Sequence, residues 1–137
     1  MILIAILASI TLILTAAFAM IYFLNREPGQ SKPLSAAQIK ENTVDMKDIT
    51  TNLSGDKYIK ISFAFVLENR KAKEEFEQLD FKVKDVIIKT LMDLKPEQIE
   101  GSKGQENLTS LLQDKINNGI LTQGKLKQIY ITDRVIQ

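Results

Sequence analysis

The stretch Lys57-Tyr58-Ile59-Lys60-Ile61-Ser62-Phe63-Ala64-Phe65-Val66-Leu67-Glu68 sets the fold. Ile59, Ile61, Phe63, Phe65 and Leu67 alternate with Lys60, Ser62, Ala64 and Val66, the period-two pattern of a strand that turns one face to a core. Just upstream, Ile49-Thr50-Thr51-Asn52-Leu53 reads as a shorter strand, and Ser54-Gly55-Asp56 supplies the turn, so an antiparallel hairpin is the shortest connection. Further upstream the signal divides. Ser35 to Lys40 suits a helix start, whereas Thr43-Val44-Asp45-Met46 alternates like a short strand.

Downstream the period changes from two to 3.6. Phe76, Leu79, Val83, Val86, Ile87, Leu91 and Leu94 recur at steps of three and four, which predicts one amphipathic helix over Ala72 to Leu94. Lys71/Glu75, Lys73/Glu77, Asp80/Lys84 and Asp85/Lys89 are spaced to support it as ion pairs on its other face. Pro96 ends this helix or starts another turn. Ser102-Lys103-Gly104-Gln105 resembles a capping box ahead of Leu108, Leu111, Leu112, Ile116 and Ile120, a second helix ending near Asn118-Gly119. Leu126 to Gln137 then carries Ile129, Ile131 and Val135 as one face of a terminal strand. The expected class is α+β, a small antiparallel or mixed sheet packed with two helices, a size at which oligomerisation adds useful stability.

Ahead of this domain, no residue from Ile2 to Leu24 is charged, and about 23 residues of helix reach ~35 Å, enough to cross a hydrocarbon core. The rival reading is a cleaved signal peptide, for which Ala17-Phe18-Ala19 offers a cleavage pattern. Against it, no basic region precedes the apolar run, and the run continues through Met20-Ile21-Tyr22-Phe23-Leu24. The expected organisation is a membrane helix over 1–24, a Pro/Gly/Ser-bearing tether over 25–43 and the α+β domain over 44–137. Ala5, Ala8, Ser9, Thr11, Thr15, Ala16 and Ala19 share half of the helix circumference. Thr11 and Thr15 are therefore candidates for helix association, with a plain anchor as the alternative. A literal count of Arg26, Lys32 and Lys40 after the helix would leave the domain in the cytoplasm, but domains of this length translocate largely regardless of charge.

Composition excludes whole classes of chemistry. With no His and no Cys, the chain lacks the parts for Ser-His-Asp or Cys-His nucleophiles, for zinc sites and for thiol redox chemistry. Lys plus Arg number 18 against 17 for Asp plus Glu, so the net charge of +1 carries no footprint of a nucleic-acid binder. Asp45 with Asp48, and Glu74 with Glu75, are the only carboxylate pairs to weigh as acid and base, and both read as solvated rather than catalytic. No phosphate loop, calcium loop or nucleophile elbow occurs. The expectation is no enzyme, no cofactor, no metal, no small-molecule substrate and no nucleic acid, with protein and the lipid bilayer as partners.

One resemblance spans nearly the whole chain. The membrane helix and polar tether are followed by Thr51-Asn52-Leu53, Lys57-Tyr58-Ile59-Lys60-Ile61, Lys84-Asp85-Val86-Ile87-Ile88, Leu108, Ile116-Asn117 and the terminal Ile129-Tyr130-Ile131-Thr132-Asp133-Arg134-Val135-Ile136-Gln137. In order and spacing these resemble the flagellar basal-body-associated FliL family, whose members commonly have Arg where this chain has Lys84. The resemblance implies a single-pass protein of the cytoplasmic membrane whose domain, similar to the stomatin/prohibitin domain, lies outside the cytoplasm. It also implies association with MotA/MotB stator units and the basal body, an oligomeric ring, and support of torque and swarming motility. Lys84 and Asp85 become candidates for domain contacts. The alternative is a stomatin-like membrane scaffold unrelated to flagella.

Overall fold

A computed structural model describes residues 1–24 and 33–137, which form two units, Met1–Leu34 and Ser35–Gln137. In the first, helix α1 covers Ile2–Leu24 without a charged residue. It is long and apolar enough to cross a membrane.

The second unit is built on β2 (Tyr58–Leu67), the middle strand of a three-stranded, wholly antiparallel sheet. β1 (Thr43–Asn52) flanks it on one side and β3 (Leu126–Ile136) on the other. Ile59, Ile61, Phe63, Phe65 and Leu67 are fully buried, as their alternation predicts. Each such side chain contributes about 1.5–3 kcal/mol of transfer free energy. The two short upstream signals fuse into one strand. Met46 opposes Phe63 and Ile49 opposes Ile61, so Lys47 and Asp48 together face Ser62 in a bulge, with Asp48 at φ 57°. The bulge lets Val44, Met46 and Ile49 all meet the core despite their broken alternation.

Residues 25–32 of the expected tether lie outside the described residues, and its last part is ordered. Ser35 caps α2 (Ala36–Glu41): Gln38 N–H donates to Ser35 Oγ, and Ser35 N–H donates to Gln38 Oε1 at 2.9 Å.

Three helices, not two, cover the inner face. The expected Ala72–Leu94 helix is broken at Leu79 into α3 (Arg70–Gln78) and α4 (Asp80–Asp93). The break lies in the backbone of one residue, Leu79 at φ −107° and ψ 21°, which a hydrophobic period cannot register. α3 brings Phe76 onto Phe65, ring centroids 4.9 Å apart, and Phe65 meets Phe63 at 5.6 Å. α4 buries Val83, Ile87 and Leu91. Pro96 opens a single 3₁₀ turn to Gln98, and α5 (Gly101–Gly119) completes the layer with Leu108, Leu112 and Ile116.

Two expectations need correction. The capping box at Ser102 does not form, because α5 begins at Gly101 and Ser102 already lies inside it. Gly104 lies buried inside the helix. A Cβ there would stand 2.7 Å from the Ile99 carbonyl carbon, so the glycine lets α5 lie against that backbone. The face of β3 also switches part-way. Ile131 opposes Phe63 but Asp133 opposes Ser62, leaving Thr132 as the extra residue. Beyond it Ile136, not Val135, pairs with the buried Ile59, and Val135 is 43% exposed.

Candidate interaction surfaces

Among the described residues no group of three acidic, His or Cys side chains is placed to hold a metal, and three of the four carboxylates weighed above have structural partners, while Asp45 stands exposed. Asp48 pairs with Lys60 at 2.9 Å across the outer sheet face. Glu74 pairs with Arg70 at 3.0 Å. Of the four helix ion pairs expected, only Asp85–Lys89 forms, at 2.7 Å. Lys73 instead donates to the Glu41 carbonyl at 2.7 Å, and Glu75 turns away from its helix altogether.

Glu75 is the centre of the most heavily bonded feature of the domain, which the sequence did not reveal. Its carboxylate accepts the Thr122 hydroxyl at 2.6 Å, Thr122 N–H at 2.9 Å and Gln123 N–H at 2.8 Å. Next to it Glu68 accepts Lys125 N–H at 3.0 Å and pairs with Lys127. Asn117 exchanges two hydrogen bonds with the Leu126 backbone, and Gln113 donates to the Leu126 and Lys127 carbonyls. Residues 122–127 are thus fastened by side chains at the entry to β3. Partners 47 residues apart leave no local pattern to read.

The Thr122 hydroxyl, more than any other group, holds the Glu75 carboxyl below its ordinary value of 4.5, with the two backbone N–H groups adding to the effect. A lowered folded-state value adds stability that is fully present above pH 4.5 and is lost as pH falls through that value. Glu75→Gln is expected to cost on the order of 1 kcal/mol near neutral pH. The gap to the parent protein should close on acidification, as followed by melting temperature against pH.

The residues singled out from sequence stand in the open. In α1 the Thr11 hydroxyl donates to the Ala8 carbonyl at 2.9 Å and Thr15 to the Leu12 carbonyl at 2.9 Å. Both donors are therefore satisfied within their own helix, and an association through them would rest on small size and oxygen lone pairs. Lys84 and Asp85 lie on the exposed side of α4 and do not bond each other. They are framed by apolar side chains at helical spacing: Phe81 is 62% and Met92 44% exposed, with Ile88 half-buried between them. Apolar and charged side chains thus share the open face of α4.

The second open surface is the outer side of the sheet, which carries Tyr58, Tyr130 and Val135 around the Lys60–Asp48 pair. The family model described as "Flagellar basal body-associated protein FliL" matches residues 43–137, the whole sheet and its helices. The chain belongs to the FliL family. It is also 42% identical over 103 residues to the "Flagellar protein FliL" of Bacillus subtilis (strain 168), across 75% of this chain and 73% of that relative. FliL proteins are flagellar accessory proteins, and this member joins a membrane-length helix to the family's α+β domain.

Proposed function

We propose that this FliL protein is held in the cytoplasmic membrane by α1 with its domain outside the cytoplasm. There it associates with the MotA/MotB stator as an oligomeric ring and supports torque and swarming motility. The observation that carries this reading is the family match across the entire sheet and helix layer, attached to one helix of membrane length. Physical reasoning supports the assembly. Copies anchored in one membrane share an orientation, so they are related by rotation about the membrane normal, and anchoring raises the effective concentration for weak lateral contacts. The Phe81, Lys84, Asp85 and Met92 surface supplies one such contact, and the small-residue face with Thr11 and Thr15 supplies another within the bilayer.

A strain lacking the gene is expected to lose torque under high load, to retain fewer stator units and to swarm poorly. Normal values for all three would overturn the reading. Within it, Lys84→Glu should reduce recovery of MotB with the protein from solubilised membranes. Domain stability should move by no more than about 0.5 kcal/mol, since the side chain is exposed.

A further inference from the structure

We infer that Phe81 of one copy of this chain seats in the cavity beyond the end of α4 in the next copy, a head-to-tail contact that repeats. The inference rests on the membrane-held assembly proposed above and names the side chain and the hole that join its members. The hole is already formed in a single chain. Leu94, the 3₁₀ turn and the first half of α5 enclose a cavity of about 370 Å³. Leu94, Leu108 and Leu111 give it apolar walls, and Gly104, where the Ile99 backbone leaves no room for a side chain, adds a bare stretch of helix. An apolar cavity of ~150 Å³ admits a benzene ring, so this one has space for a phenyl ring and the methylene that carries it.

The knob stands at the other end of α4. Phe81 is the most exposed hydrocarbon side chain described in the Ser35–Gln137 unit. It lies on the side of α4 away from Val83 and Ile87, so its own core cannot take it up. Thirteen residues of chain, ~20 Å of helix, separate it from Leu94, so it cannot fill its own cavity either. A second copy can be filled by it. Knob and hole are different surfaces, and each contact leaves one of each unused, which is the heterologous geometry that closes into rings.

The charges around them fix an orientation. At the hole, Glu97 and Glu100 stand on the side of the turn and Lys103 on the side of α5. At the knob, Glu77 and Asp80 precede Phe81 while Lys82 and Lys84 follow it, and Asp85 is taken by Lys89. Apart from Asp85, none of these groups is in an ion pair among the described residues. Each surface thus has an acidic and a basic side, and one rotation of the ring in its hole sets Lys82 and Lys84 against Glu97 and Glu100 with Asp80 toward Lys103. Exposed charges of this kind select the orientation and add little affinity. A phenylalanine buries about 150–250 Å², far below the roughly 1,200 Å² of a stable interface. The contact therefore suits chains that one membrane keeps at high local concentration, which favours a second copy over an unanchored partner.

The chain has no cysteine, so introduced cysteines report uniquely. In a full chain carrying Gln78→Cys beside the knob and Ser110→Cys beside the hole, treatment of isolated cell membranes with a short bis-maleimide should give a ladder of dimers, trimers and larger species. Either cysteine alone should give no ladder. Adding Phe81→Ala should lower the yield of trimer by at least about tenfold, the loss of one buried phenyl ring. Leu111→Arg, which closes the hole from the other side of the contact, should do the same, whereas Tyr130→Ala on the outer sheet face should leave the ladder intact. Phe81 and Leu111 are both exposed, so melting temperatures should stay at the parent value. Linked species that stop at the dimer, or a ladder that survives Phe81→Ala, overturn the inference. So does the absence of any ladder, and amine-reactive cross-linking of the unsubstituted chain then shows which reading has failed. Oligomers in that experiment leave the assembly standing on another contact, and monomers remove the assembly as well.

Discussion

Phe65→Ala is expected to destabilise the domain by about 3–5 kcal/mol, the largest effect of any single truncation considered. Phe65 is fully buried in the middle strand, between the Phe63 ring at 5.6 Å and the Phe76 ring at 4.9 Å. Its removal takes away transfer free energy and opens a cavity bounded by a sheet and a helix, neither of which can collapse into it freely. A domain of about 100 residues holds roughly 5–15 kcal/mol in total, so the variant should stand near the edge of folding at growth temperature. Denaturant titration of the full chain in detergent, followed by far-ultraviolet circular dichroism, measures the loss. A cost below about 1 kcal/mol would mean that the three rings do not form the centre of the core.

Gly124→Ala is expected to cost about 2–4 kcal/mol although it adds only a methyl group. Gly124 has φ +153°, a conformation that side chains rarely adopt, and a Cβ there would meet Asn69 Nδ2 at 2.8 Å and the Ala72 methyl at 2.9 Å. Asn69 cannot yield without cost, because its Oδ1 accepts Ala72 N–H at 2.8 Å to cap α3. The substitution therefore pushes on the α3 cap and on the segment tied down by Glu68 and Glu75 together. Hydrogen exchange should show faster opening of the first residues of β3 than of the β1–β2 hairpin, a pattern that uniform destabilisation would not give.

The hairpin, the class and the membrane-length helix were legible in the sequence because each rests on a local repeat. Alternation over 59–67 and the uncharged run over 2–24 need no knowledge of distant residues. What escaped were single-residue backbone events and long-range side-chain bonds. Leu79 breaks a helix without interrupting its apolar period, and Thr132 inverts the end of β3 so that Val135 and Ile136 exchange places. Glu75 sits at ideal spacing from Lys71, yet three donors from the 122–123 backbone and hydroxyl outbid it. Of the candidate contact residues, sequence located Lys84 and Asp85 on an outer helix face. Phe81 and Met92, which fall off the stripe of Phe76, Val83, Ile87 and Leu91, flank them in the open.

The order of strands has a consequence for biosynthesis. β2 finds β1 across a tight turn, but its other neighbour, β3, is translated only after all three covering helices have emerged. Until then the central strand has one bare edge, and Phe63 and Phe65 lack Ile129 and Ile131 opposite them. The half-built sheet persists for the time needed to synthesise the more than fifty residues between β2 and β3. That interval is when a holdase would matter most and when two neighbouring chains could mistake each other's strands for their own.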